Sequence, residues 1–416
     1  MASAGSGPPR ELASEVAAIV DSAAPGRVIV LGSPPPGGRD LDLLVRSADR
    51  PPVEESLRAA GLDGDSDGFV LFKGGRAYAV ELFGAETFLA PGALEPLFAR
   101  ALPLDGYERL ARPAPPHALL ILARLVMDEG GLRPKRQARL ERILAEDPGA
   151  WEGGRAEAPA WGAERALALL ARAARGEPRP LPARLRTAAS RLRGRPRRGV
   201  LVALSGIDGA GKSSQARALA EAMADIGVSA EVVWNDLLGN RALAVVAALP
   251  KAMLALAGRR RGSMARFDEA PPKGEAGEAS YTRRTWSTIV TVANALEQRV
   301  IAARALAQGG MVAFDRSPLD LAVRMQVLYR ADVAMQRRLV AALAPRPDVA
   351  FLLDIPPEVS LARKDDIWSP EQLVEQAGLY RALAPQFGVT ALDGQRPFAE
   401  LAAEIARAAW RARRPV

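Results

Sequence analysis

The chain has 416 residues, no cysteine and a single histidine, His117. Without thiols there are no disulfides, no thiolate metal site and no cysteine nucleophile. The lone imidazole opens a helix after "PAPP" with no acid or cysteine beside it in sequence. Helix-start or core packing is expected of it, and no metal or general-base role is assigned. Lysine is scarce as well: Lys73, Lys135, Lys212, Lys251, Lys273 and Lys364 are all there are, so the net charge of +8 is mostly arginine. Composition bias alone can produce such a charge, and no specific nucleic-acid partner is expected. No run of about 18 uninterrupted apolar residues is long enough for a bilayer span. The stretch "MASAGSGPPRELASEVAAIV" lacks the build of a signal peptide, which makes a cytoplasmic location the expectation.

What is present is a composition for folding. Apolar residues make up 49% and charged residues 25% of the chain, enough for two or three domains with sizeable cores. Residues 1–112 combine a short helix signal, the strand "RVIVLGS", the alternating "DLDLLV", and "GFVLFKGGRAYAVELFG", which reads as a hairpin turning at Gly74-Gly75. This is a small α+β unit. Residues 113–176 are rich in Ala, Leu and Arg with helical periodicity. Residues 177–199 form a Pro/Arg-rich connector that reads as a solvated linker. From 200 to 416, "LVALSG", "SAEVVW", "GMVAFD", "VAFLLD" and "VTALD" alternate with long amphipathic stretches. That order predicts an α/β domain with a parallel sheet covered by helices on both faces.

The stretch "VALSGIDGAGKSSQARALA" carries the clearest chemistry. Gly206 to Ser213 matches G-x-x-x-x-G-K-[ST] at a strand-to-helix turn. Gly206, Gly209 and Gly211 let backbone N–H groups converge on phosphate oxygens, and the helix N-terminus adds a favourable dipole. Lys212 would reach the β- and γ-phosphates and Ser213 would hold Mg²⁺, with Ser214 beside it. ATP and Mg²⁺ are therefore the expected cofactors.

"GIDGAGKSSQ" resembles the P-loop of thymidylate kinases, "GGMVAFDRSPLD" their Asp-Arg motif, and "PDVAFLLDIPPEVSLARK" their later strand and the start of the lid. The resemblance covers about residues 196–416. It implies a P-loop nucleoside-monophosphate-kinase fold that moves the γ-phosphate of ATP to a small-molecule nucleotide, dTMP first. It also implies that Asp208 hydrogen-bonds the acceptor's sugar hydroxyl, that Asp315 positions Mg²⁺-bound water or the acceptor phosphate, and that Arg316 clamps that phosphate. Arg363 and Lys364 lie where lid cations would sit, although with Asp365 and Asp366 they also read as a solvated ion-pair cluster. A homodimer is a further implication of the family.

Two departures stand beside this. Where the family carries an Arg-Glu-Pro-Gly element, the chain reads "VVWNDLLGNR", and Asn294 lies near the place of the arginine set against thymine. Another small phosphate ester or a sugar is therefore an alternative acceptor, with Asn235, Asp236, Arg283, Arg284 and Trp286 available to shape its pocket. Residues 267–284 read as a mobile loop, and the apolar segment 242–262 as helices packed on the kinase core. Asp354 ends its strand as Asp315 does, close to a turn at Pro356-Pro357.

In residues 1–112, Gly32-Ser33 precedes Asp40-x-Asp42 on an alternating strand, and Glu81 lies on a later one. Carboxylates at i and i+2 share a strand face, and a third from a neighbour would complete a metal site for nucleotidyl transfer. This resembles the nucleotidyltransferase fold, which leaves open a nucleotidyltransferase with the P-loop domain as a nucleotide sensor, or a domain that keeps the fold alone.

Overall fold

A computed structural model describes residues 10–64, 68–129, 131–177, 199–234, 278–307, 309–315, 317–329, 334–363 and 368–413. The linker over 178–198, the segment 242–262, Asn235, Asp236, Arg316, Lys364, Asp365 and Asp366 lie outside these. The chain divides into one unit of residues 1–71 and 77–196 and another of residues 72–76 and 197–416. Among the described residues no helix is long and apolar enough to cross a membrane.

In the first unit, α1 (Arg10–Ala23) leads into β1 (Val28–Val30) and β2 (Asp40–Val45), followed by α2 (Arg50–Ala59). The strands β3 (Asp63–Gly64), β4 (Gly68–Lys73) and β5 (Arg76–Gly84) come next, then the short helices α3 (Ala85–Phe88) and α4 (Pro91–Ala99). The sheet is completed by β6 (Leu102–Pro103) and β7 (Leu110–Arg112). Strand order is β3-β4-β5-β2-β1-β7-β6. Pairing is mixed: β1 runs antiparallel to β2 but parallel to β7, and β2 runs parallel to β5.

Alternation along β2 explains the two faces of this sheet. Leu41, Leu43 and Val45 pack with Val16 and Val20 of α1 and Val53 and Leu57 of α2. Leu44 points the other way, into a cluster with Ile29, Leu119, Leu122, Trp161 and Leu170. Those last residues belong to α5 (Pro115–Glu129), α7 (Ala150–Trp161) and α8 (Glu164–Ala174), with α6 (Pro134–Glu146) between them. The helical segment therefore shares one core with the sheet.

The second unit carries β8 (Val200–Ser205), α9 (Lys212–Asp225), β9 (Ala230–Trp234), α10 (Glu278–Ala307) and β10 (Met311–Asp315). After these come α11 (Pro318–Tyr329), α12 (Ala334–Leu343), β11 (Val349–Asp354), α13 (Pro357–Arg363), α14 (Pro370–Leu383), β12 (Thr390–Asp393) and α15 (Phe398–Arg413). The sheet has the order β12-β11-β8-β10-β9, and every adjacent pair is parallel. All of β8 is buried, as a strand covered on both faces must be. From β8 the chain moves to one side through β9 and β10 and then crosses to β11 on the other. Ligands of open parallel sheets bind at such a reversal, beyond the carboxyl ends of the strands.

One expectation changes here. Residues 278–284, read as part of a loop, form the first turns of α10. "EASYTRR" carries neither Pro nor Gly after Gly277, so nothing in it breaks a helix.

Candidate functional site

The turn from β8 into α9 follows from its glycines. Gly206 and Gly209 have φ of 145° and 81°, in the region that disfavours side chains. Space is short too: a Cβ on Gly206 would lie 2.7 Å from the Leu353 carbonyl oxygen, and one on Gly209 would lie 3.2 Å from that of Ser360. The loop therefore lies close against β11 and α13. Gly211 forms the N-cap of α9, also at positive φ.

The charged groups of the loop converge on it. Lys212 is buried, and its Nζ donates to the Gly206 carbonyl at 2.6 Å and to that of Ile207 at 3.0 Å. Ser213 donates its hydroxyl to the carboxylate of Asp315, which is 2% exposed at the end of β10. Ser214 is exposed on the first turn of α9. Asp208 Oδ1 stands 3.9 Å from Lys212 Nζ. Arg363, at the end of α13, reaches across to donate to the Gly209 carbonyl at 3.2 Å.

The structure thus brings Gly206, Asp208, Gly209, Gly211, Lys212, Ser213, Asp315 and Arg363 to one place. Asp354 is engaged elsewhere, accepting from Arg381 Nε at 2.9 Å. Asn294 is fully buried on α10. The side chains of Arg283, Arg284 and Trp286, on the same helix, lie outside the described residues.

With that geometry in view, the comparisons with known proteins become informative. No protein-family model matches the chain. A thymidylate kinase of Dinoroseobacter shibae is 30% identical over 220 residues, covering 50% of this chain and 94% of that protein. The chain belongs to the thymidylate kinase family. The relation takes in half of this chain's length, and the second unit, with its parallel sheet, has the α/β build of a kinase of this family.

Sequence reasoning missed two supports of this site. Ser360 Oγ donates to the Asp208 carbonyl at 2.5 Å, and the indole Nε1 of Trp368 donates to Asp208 Oδ2 at 2.9 Å. Trp368 lies in no motif, and Ser360, although inside "PDVAFLLDIPPEVSLARK", carries no signal of this contact; only the packing of α13 and of the start of α14 against the loop brings them there.

The first unit holds a second candidate. Asp42 and Glu81 are register partners on β2 and β5, and Asp40 lies two residues before Asp42 on the same face. Among the described residues, however, no three of His, Asp and Glu stand close enough to hold a metal ion. The three carboxylates share a face without assembling a metal set. Asp40 and Asp42 line a cavity of about 770 Å³ that Lys135, Arg136, Arg139 and Arg142 of α6 also line. Burial, together with the charges of Asp40 and Glu81, pushes the Asp42 carboxyl up to about 6. Burial and repulsion from Arg136 and Arg142 bring the Arg139 guanidinium down to about 10. The basic face of α6 is a feature that the sequence reading had left without a role.

His117 packs inside this unit. Its Nε2 lies 2.5 Å from Glu157 Oε2, and its ring stacks on Trp161 with centroids 5.2 Å apart. The acid partner absent from its sequence neighbourhood comes from α7.

Proposed function

We propose that the second unit transfers the γ-phosphoryl group of ATP to a nucleoside monophosphate, with dTMP the first acceptor to test. The observation that carries this reading is the meeting of Ser213 with Asp315 at the mouth of a glycine loop that also holds Lys212. Phosphoryl transfer needs positioned positive charge and backbone donors around the phosphate oxygens more than it needs a strong base.

Each residue has its part. The N–H groups of the loop and of the first turn of α9 cradle the phosphates. Lys212, already held at the loop by two of its carbonyls, is placed to exchange them for phosphate oxygens. A hydroxyl and a carboxylate in contact are hard oxygen donors of the kind Mg²⁺ selects, so Ser213 and Asp315 fit as its holders. When bound, Mg²⁺ would neutralise charge on the β- and γ-oxygens. Arg363 is close enough to the loop to add positive charge from the lid side, and the resemblance gives Arg316 the acceptor phosphate. The resemblance gives Asp208 the acceptor's sugar hydroxyl. A homodimer accompanies this reading as a family expectation, and a cytoplasmic location as the expectation of the sequence.

The acceptor is tested by ADP release from Mg·ATP with dTMP, beside other nucleoside monophosphates, phosphate esters and sugars. Release that needs dTMP and vanishes in Lys212→Ala supports the reading. ATP binding without release on any monophosphate would move the acceptor to the alternative class, for which Asn294 in place of an arginine is the motivating departure.

A second reading, nucleotidyl transfer by the first unit, draws on the cavity that Asp42 and the basic face of α6 line. Activity lost in Asp40→Ala and Asp42→Ala but kept in Lys212→Ala would favour it. No step through a metal is derived there, because among the described residues no group of three acids or histidines is placed to hold one.

A further inference from the structure

Asp208 is the one carboxylate inside the phosphate loop, and two helices hold it from different sides. Its main chain is fixed from α13, through Ser360 Oγ at 2.5 Å and, one residue on, through Arg363 to the Gly209 carbonyl. Its side chain is held from the residue just ahead of the α14 N-cap, through the indole of Trp368 at 2.9 Å.

Trp368 is well placed to fix an orientation. It directly precedes Ser369, the N-cap of α14, whose hydroxyl accepts from the Gln372 N–H at 3.3 Å while Gln372 Oε1 accepts from the Ser369 N–H at 3.0 Å. This reciprocal box pins the first turn of the helix. Further along, Leu373, Ala377 and Leu383 are buried, and Tyr380 donates to Asp320 at 2.8 Å. The indole therefore stands on a start anchored at both of its levels.

The chemistry of that donor matters. An indole N–H donates only and carries no charge, whereas a carboxylate offers about four acceptor positions. Trp368 can thus occupy one of them and set the rotamer without neutralising the group. Lys212, 3.9 Å from the other oxygen, would otherwise be free to draw the carboxylate towards the phosphate side of the loop.

We propose that Trp368 is a positioning residue that holds the Asp208 carboxylate in the rotamer that meets the acceptor's sugar hydroxyl. This rests on the kinase reading, in which Asp208 receives that hydroxyl.

The test is equilibrium binding and steady-state kinetics with dTMP and with the same nucleotide lacking the sugar hydroxyl. Wild type, Trp368→Phe, Trp368→His and Asp208→Asn are compared at pH 8, with thermal unfolding as a folding control. A hydrogen bond to a charged group is worth roughly 1.5–3 kcal/mol. Trp368→Phe should therefore raise KM for dTMP by about tenfold, leave kcat and the KM of ATP within about twofold, and leave the deoxy analogue untouched. Trp368→His, which keeps a ring N–H, should recover part of the discrimination. Equal losses on both nucleotides, or hydroxyl discrimination unchanged in Trp368→Phe while Asp208→Asn abolishes it, would overturn the role of Trp368 alone. Failure of the wild type to bind dTMP would overturn the acceptor assignment and this role with it.

Discussion

Ser213, on the first turn of α9, donates its hydroxyl to the carboxylate of Asp315, at the end of β10. The contact ties the phosphate loop to the strand beside β8 and sets two hard oxygen ligands at the mouth of the crevice. Ser213→Ala and Asp315→Asn should each lower kcat by roughly 10²–10³-fold, the scale of losing one preorganised electrostatic contact. Both should raise the Mg²⁺ concentration needed for half-maximal rate, and chelation should stop turnover in the wild type. A coupled ADP assay across a Mg²⁺ titration measures this. Full activity in both variants would remove the metal role from the pair.

Asp42 supplies a pH dependence with a definite sign. Its folded value of about 6 exceeds the ordinary 3.8, so the folded protein holds the proton more tightly than the unfolded chain does. Folding is penalised where the group must be charged, and stability is lost as pH rises from about 4 through 6. Asp42→Asn should raise the stability of the first unit at pH 7.5, by at most roughly 3 kcal/mol, with a gain that shrinks towards zero near pH 4. Calorimetric scans at several pH values follow it. A gain independent of pH would show that charge is not its source.

His117→Ala should destabilise the first unit by roughly 2–4 kcal/mol, because it opens a cavity under Trp161 and strips Glu157 of a partner. Phosphoryl transfer measured well below the unfolding temperature should stay unchanged. Chemical denaturation read by tryptophan fluorescence supplies the first number and the ADP assay the second. A loss of turnover in the fully folded variant would contradict the packing role given to His117.

Tyr380 donates to Asp320, and the other oxygen of that buried carboxylate accepts from the Ser317 N–H at 2.7 Å. Tyr380→Phe removes one donor and leaves a buried acceptor short, at a cost of roughly 1–3 kcal/mol. The midpoint of urea unfolding of the second unit should fall with little change in slope. An unchanged midpoint would mean that another donor replaces the hydroxyl.

The two units differ in how plainly their sequences can be read. The central strands of the second unit, β8, β10 and β11, show as apolar runs, because a strand covered on both faces has no polar alternation to blur it. The phosphate loop shows as well, since its backbone path demands glycine at fixed spacing. In the first unit, β3 and β6 are two residues long, too short to carry a period. The parallel pairing of β1 with β7 joins Val28 to Leu110, a separation that no local pattern encodes.

The same division runs through the candidate site. Lys212, Ser213 and Asp208 were legible because they sit inside one motif, and Asp315 because it ends an apolar strand. Trp368, Ser360 and Glu157 were not, because each reaches its partner across a helix packing that local sequence leaves undetermined.

By itself, then, the sequence determined a strand, a glycine turn and a helix N-terminus in that order in the second unit, an arrangement suited to phosphate because its donors are backbone groups a few residues apart. Tertiary structure alone decided which side chains complete that loop and how the acids of the first unit stand. Asp40, Asp42 and Glu81 share a strand face, yet among the described residues no three acids or histidines are placed to hold a metal, because side-chain convergence depends on how strands and covering helices pack. The indole that steadies Asp208 comes from just ahead of a helix 160 residues further along the chain, brought there by a fold in which distant hydrophobic faces find each other.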